Sequence, residues 1–189
     1  MSVTSELAAS QPATSQPVTP QPVASYPVHL RLTGRPVLVV GAGNVARRKI
    51  AGLVAAEAHV TVIAPWVHPE VQAMPVTILE RPYRGNDLTG FWLAITCTDD
   101  PAVNRRVFLD GQEQRVWVNS ADDPANCAWT LPSVARQGDI TITAATNGRS
   151  PAMSMWLRRR FETEFDHRYL DLLELLAETR REAKTHHGT

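Results

Sequence analysis

The sequence predicts an α/β protein with a mostly parallel sheet that ends in a short helical segment, and three observations predict it. Val37-Leu38-Val39-Val40 is a continuous apolar run, the composition of a strand buried on both faces of a parallel sheet. It leads through Gly41-Ala42-Gly43 into residues with helical spacing, about Asn44 to Ala55, and a second apolar run, His59 to Ala64, follows at the distance a β-α-β unit requires. Trp92 to Cys97 and Val116 to Asn119 then repeat the pattern of short buried runs separated by helical stretches.

The turn after the first run carries the chemistry. Gly41 and Gly43 permit a tight turn and close backbone approach. The helix behind them points unpaired N–H groups and its positive dipole end at the turn, where a pyrophosphate is stabilised. Gly41-Ala42-Gly43-Asn44-Val45-Ala46 fits the dinucleotide pattern G-x-G-x-x-G/A, so the expected fold is of the Rossmann type. Two glycines at any strand-to-helix turn would be weak support; the flanking β-α-β unit strengthens it. At the end of the second run an Asp or Glu usually holds the adenosine ribose, but here stand Ala64, Pro65 and Trp66, with no arginine following to hold a 2′-phosphate. These residues leave NAD and NADP both open.

In order along the chain, residues 1–27 repeat Gln-Pro every five residues, at Gln11-Pro12, Gln16-Pro17 and Gln21-Pro22, and read as a disordered leader. Val28, Leu30 and Leu32 alternate with His29, Arg31 and Thr33, which predicts an edge strand. The helix after the glycines is expected to carry Val45, Lys49, Gly52, Leu53 and Ala56 on its inner face. Val67 to Gln72 predicts a short helical turn and Val76 to Leu79 a third strand. Asp99 or Asp100 is placed to cap a helix whose first turn is Pro101 to Asn104. Ile140 to Ala145 alternates as a strand, and Ser150-Pro151 opens a helix to about Phe161 with Ala152, Met155, Trp156 and Arg159 on one face. A last helix, Glu164 to Lys184, aligns Tyr169, Leu172, Leu173, Leu176 and Ala177 for the core or for a dimer contact. The expected division is a leader at 1–27, a dinucleotide-binding domain at 28–149 and a helical dimerisation or substrate segment at 150–189.

Charge excludes several classes of partner. Lys and Arg number 19, as do Asp and Glu, so no global field recruits nucleic acid or an anionic membrane. No apolar stretch approaches the roughly 20 residues of a membrane span. Cys97 and Cys127 have neither metal-site nor disulfide spacing, which suits a reducing cytoplasm, and no metal site is expected.

Several motifs then coincide. Gly41 to Lys49, Trp92 to Ile95 with Thr98-Asp99-Asp100 and Val103-Asn104, Val118-Asn119, Asp122-Asp123-Pro124, Cys127, Leu131-Pro132-Ser133 and Asn147 to Pro151 resemble, in order and spacing, the precorrin-2 dehydrogenase family of sirohaem synthesis. The resemblance covers about Val28 to Phe161. It implies a cytoplasmic homodimer that oxidises precorrin-2 to sirohydrochlorin with NAD; some members also insert ferrous iron. It implies acid/base work for Asp122, which from its own surroundings reads as a turn aspartate before proline. Gly41, Gly43, Asn44 and Val45 would meet the cofactor phosphates, Pro65 and Trp66 the adenosine, and Thr98 and Asp99 the nicotinamide side. Asn119, Thr146 and Arg149 would bind the tetrapyrrole. The family's C-terminal helical part normally runs longer than the two helices read here, which leaves the iron step open. A competing expectation keeps the fold without the chemistry, as a dinucleotide-sensing or tetrapyrrole-binding module.

Overall fold

A computed structural model of the chain describes residues 25–121 and 123–187. The first 24 residues of the expected leader, and Asp122, lie outside them. A five-stranded parallel sheet runs in the order β3-β2-β1-β4-β5, with β1 at Pro36–Val40, β2 at His59–Ile63, β3 at Thr77–Leu79, β4 at Leu93–Thr96 and β5 at Trp117–Ser120. This order reverses direction between β1 and β4. Such a switch point opens a crevice at the carboxyl ends of the strands, where ligands of open α/β sheets bind.

The apolar run of β1 explains the two cores. Val37 and Val39 face one side, packed with Val60, Val62 and Ile95 beneath helix α1, Asn44–Ala55. Leu38 and Val40 face the other, packed with Ala94, Val107 and Val118 beneath helix α3, Pro101–Gln114. Alternation of side chains along a strand with no exposed face makes every residue apolar. The inner face of α1 is Ala46, Ile50 and Leu53, one position on from the expected Val45 and Lys49; Leu53 alone belongs to both sets. Lys49 stays at the rim, where its ammonium keeps water while its stem packs.

The expected edge strand at Val28 to Leu32 does not form. The segment is irregular, and Val28 and Leu30 are exposed while Leu32 packs against the α1 core. At its end the Arg35 N–H donates to the Leu32 carbonyl at 2.8 Å, and in the following turn the Gly34 N–H donates to the Glu57 carbonyl at 2.8 Å. One anchored leucine, with no neighbouring strand to pair, accounts for the alternating pattern. The short helix α2 is Pro69–Gln72, capped by His68.

After β5 a 3-10 turn, Pro124–Asn126, leads to an antiparallel hairpin separate from the main sheet, β6 at Ser133–Gln137 with β7 at Ile140–Ala144. The sequence pattern marks only the second of these strands. Helix α4, Pro151–Glu164, packs on both strands of the hairpin, and α5, His167–His187, follows it. The Ser150 hydroxyl caps α4 with Pro151 at its first position, as expected. The face of α4 differs from expectation: Ser154 is buried and Leu157 and Phe161 half-buried, while Ala152, Met155, Trp156 and Arg159 are exposed. The inward face of α4 is set by positions 154, 157 and 161, not by 152, 155, 156 and 159, so the expected apolar stripe is left outside. Of the expected face of α5, Tyr169, Leu172 and Leu176 are exposed and Leu173 and Ala177 half-buried.

Candidate dinucleotide site

The crevice is framed by two backbone segments. The Gly41 N–H donates to the Ile63 carbonyl at 2.9 Å and the Cys97 N–H to the Val40 carbonyl at 2.8 Å, which extends the sheet past β1 on both sides. Gly41 has φ +101°, and a Cβ there would stand 2.6 Å from the Cys97 carbonyl oxygen and 3.1 Å from the Thr98 nitrogen. Only glycine fits this turn. Gly43, in contrast, has nothing within 4 Å of where a Cβ would stand. It caps α1 without any side-chain hydrogen bond, so the first N–H groups, at Asn44 and Val45, face a cradle open in front of the helix end. A pyrophosphate fits that cradle: donors and dipole are in place, and no side chain fills it.

On the adenosine side, the His68 N–H donates to the Ala42 carbonyl at 3.0 Å and draws the 64–68 segment beside the turn. Pro65 and Trp66 are exposed here, and Trp66, 61 % exposed, stands edge-on to His68. Its free indole face is a surface on which a base can stack.

On the opposite side the loop after β4 is held by Asn104 of α3. The Asn104 Oδ1 accepts from the hydroxyls of Thr96 and of Thr98, the latter at 2.8 Å, and from the Thr98 N–H at 3.3 Å. Its Nδ2 donates to the Thr98 carbonyl at 2.9 Å, so one amide pairs with both backbone groups of Thr98 as a neighbouring strand would. Asp100 supplies the helix cap, accepting from the Ala102 N–H at 2.8 Å and the Val103 N–H at 3.4 Å. Asp99 is left exposed at the lip. The spacing of Asn104 four residues after the cap was the one sequence signal for this clamp.

The end of β5 adds a third wall. Asn119 and Ser120 are 5 % and 3 % exposed, and the Asn119 Oδ1 and Ser120 Oγ have no hydrogen-bond partner among the described residues. The Asn119 Nδ2 is committed, donating to the Trp129 carbonyl at 2.9 Å. The Cys127 sulfur sits inside the following loop, within 3.2 Å of both the Ser120 N–H and carbonyl and 3.3 Å of the Asp123 carbonyl. Burial pushes its thiol up, which keeps it a neutral donor to those carbonyls. Asp123 is also committed: its Oδ1 accepts from the Ala125 N–H at 3.1 Å and its Oδ2 from the Asn126 Nδ2 at 2.5 Å. Arg105 of α3 completes the set by donating to the Asn126 Oδ1 at 2.6 Å.

Thr146 and Arg149 lie on the loop between β7 and α4. The Thr146 hydroxyl is engaged with the start of α4, donating to the Ser150 carbonyl at 3.0 Å and accepting from the Ser150 N–H at 3.1 Å. Asn147 and Gly148 turn the chain with φ of 49° and 76°, and the exposed Arg149 side chain has no hydrogen bond or ion pair among the described residues. No hydrogen bond among the described residues joins this loop to the crevice walls. Nor, among the described residues, does any group of three or more His, Cys, Asp or Glu side chains stand close enough together to hold a metal ion. No described helix is long and apolar enough to cross a membrane.

Residues 28–133 match a family model described as putative NAD(P)-binding. The chain is 32 % identical over 162 residues to a siroheme synthase of Actinobacillus pleuropneumoniae serotype 7 (strain AP76), covering 84 % of this chain and 33 % of that protein. It is 33 % identical over 166 residues to a siroheme synthase of Methylobacillus flagellatus, covering 86 % and 36 %. The chain thus spans about a third of the length of these curated relatives. Among solved structures it is similar to SirC, a precorrin-2 dehydrogenase, with a TM-score of 0.73 and 29 % identity over 82 % of this chain and 79 % of that one. With the family model matched over more than half of its length, the chain belongs to the family of putative NAD(P)-binding proteins.

Proposed function

We propose that the protein is an NAD-dependent oxidoreductase that converts precorrin-2 to sirohydrochlorin, acting in the cytoplasm as a homodimer. The observation that carries this reading is the glycine cradle at the β1/β4 switch point, which opens beside the loop from Ser120 to Cys127. The bound cofactor supplies the hydride acceptor. The residues of the chain do the rest. Asn44 and Val45 N–H groups hold phosphates, Pro65 and Trp66 flank the adenosine, and Thr98 and Asp99 border the nicotinamide. Loss of two hydrogens from the macrocycle also releases a proton, and we assign its acceptance to Asp122. Asp123 has both carboxylate oxygens engaged in the 3-10 turn, which favours its neighbour as the base. Asn119, Thr146 and Arg149 are proposed to contact the tetrapyrrole, Arg149 by pairing with a substrate carboxylate. The helical segment at 150–189 is proposed to complete the dimer and the substrate cleft.

Purified protein given precorrin-2 and NAD should form NADH and sirohydrochlorin together. Asp122→Asn should lower kcat about a hundredfold or more and leave the Kd for NADH within a factor of two. Asp123→Asn should act mainly on thermal stability. Equal loss of kcat in both variants would reject the assignment, and tight binding of both ligands without turnover would favour the non-catalytic module. Adding ferrous iron as a substrate after sirohydrochlorin has formed tests for insertion in the same cuvette.

A further inference from the structure

The end of β2 lacks the acid that normally reads the adenosine ribose: Ala64 stands there, 3 % exposed. The corner is served from another element. The bond from the His68 N–H to the Ala42 carbonyl sets the start of α2 against the glycine turn, and the Glu70 N–H donates to the His68 Nδ1 at 3.2 Å. From there the Glu70 Oε2 accepts from Arg47 Nη1 at 2.6 Å. Arg47 rises from the first turn of α1, directly after the fingerprint residue Ala46. This is the one hydrogen bond its guanidinium makes among the described residues, and its Nε is buried without an acceptor. The side chains are 35 % and 60 % exposed, so the pair is open to a ligand at the adenosine end of the crevice.

We propose that Glu70, through Arg47, makes this site prefer NAD over NADP. The inference rests on the dinucleotide reading and deepens it. A free arginine at this corner would fork onto a 2′-phosphate, the usual way a Rossmann site accepts NADP. Held by Glu70, its charge is neutralised and its donors are directed away. The carboxylate adds direct repulsion of the phosphate, whereas the uncharged 2′-hydroxyl of NAD meets no penalty. One ion pair thus replaces the missing acid at Ala64. The short α2 hides it from the sequence pattern, because Glu70 lies beyond the position where that acid is sought.

Fluorescence titration with NADH and with NADPH tests this by binding alone, without the tetrapyrrole. The wild type should bind NADH more tightly. Glu70→Gln, which keeps length and shape at an exposed position, should tighten NADPH about tenfold and leave NADH within a factor of two. Arg47→Met on top of Glu70→Gln should abolish the gain. An unchanged NADPH-to-NADH ratio in Glu70→Gln overturns the proposal, as does a wild type that prefers NADPH. A gain that survives Arg47→Met shows that another cation, such as Arg48, holds the phosphate, and overturns the route through Arg47. A wild type that binds neither nucleotide overturns the dinucleotide reading itself, a result distinct from all of these.

Discussion

The parallel-sheet unit and the C-terminal part are built to different standards of burial. In the first, Val37, Leu38, Val39, Ala46, Ile50, Val62 and Val107 are all fully enclosed, and each face of the sheet has its own helix. From Ser133 onward only Ala135, Ala144 and Ser154 are buried among the described residues, while Met153, Met155, Trp156, Tyr169, Leu172, Leu175 and Leu176 are exposed. Exposed large apolar side chains in such number mark an interaction site. The difference teaches that one half is complete by itself and carries the cofactor machinery, while the other presents apolar side chains that await a second surface. This supports the homodimer proposed above.

Matched truncations in the two halves sharpen that contrast. Ile50→Ala empties an enclosed site between α1 and the sheet and should cost about 3 kcal/mol at any protein concentration. Leu172→Gln with Leu176→Gln, on the exposed face of α5, should leave unfolding of the dilute protein nearly unchanged and shift sedimentation equilibrium toward monomer. Should the double variant lose as much stability as Ile50→Ala in dilute solution, the leucines are part of the monomer core and the contrast fails.

Within the parallel-sheet unit the two ends of α3 offer a finer comparison. Asn104, near its start, pairs with both backbone groups of Thr98 at the crevice. Gln114, at its end, donates to the Gly85 carbonyl at 2.8 Å, on the side of the sheet away from the crevice. Both join the helix to a loop. If the crevice wall sets cofactor geometry, Asn104→Ala should weaken NADH about tenfold, equivalent to about 1.4 kcal/mol. Gln114→Ala should lower thermal stability by about 1 kcal/mol and leave NADH binding alone. A similar loss of affinity in both variants would make Asn104 an ordinary brace.

The same division explains what the sequence made legible. Buried parallel strands announce themselves because both faces must be apolar, so β1, β2, β4 and β5 and their order along the chain could be read directly from runs such as Val37 to Val40. Gly41 was legible because the backbone there tolerates nothing else, and Gly43 because the open cradle in front of α1 holds no side chain. Caps at Asp100 and Ser150 followed from proline at the next position. Side-chain clamps were not legible, because the amide of Asn104 and the carboxylate of Glu70 depend on which loops the fold brings together. The outward stripes of α4 and α5 have the periodicity of a core-facing helix, and periodicity does not say whether the partner surface lies in the same chain. The alternation at Val28 to Leu32 misled for a related reason, since a strand needs a neighbour with free backbone groups as well as a pattern.

The smallest expected effect compares two carboxylates, one from each half. Asp87, in the loop before β4, takes a bidentate pair of hydrogen bonds from Arg81 at 2.7 Å each and one from the Arg84 N–H at 2.6 Å. Asp166, between α4 and α5, is paired with Arg168 through Nε at 3.0 Å. In each case the hydrogen-bonded guanidinium holds the carboxyl below its ordinary value near 3.8. A lowered carboxyl contributes stability above that value and loses it as pH falls through the folded-state pKa. The Asp87 side chain is 11 % exposed and that of Asp166 is 36 % exposed, so solvent screens the second pair far more. Arg81→Met should therefore move the acid-unfolding midpoint to higher pH and destabilise the protein at neutral pH, with the two curves converging only as pH falls through the lowered folded-state pKa of Asp87. Arg168→Met should leave the acid limb where it is. An upward shift from Arg168→Met equal to that from Arg81→Met would mean that the C-terminal pair is enclosed in solution, which is the outcome expected if the dimer covers the junction of α4 and α5. Repeating the titration on the dissociated Leu172→Gln, Leu176→Gln protein separates that covering from a property of the single chain.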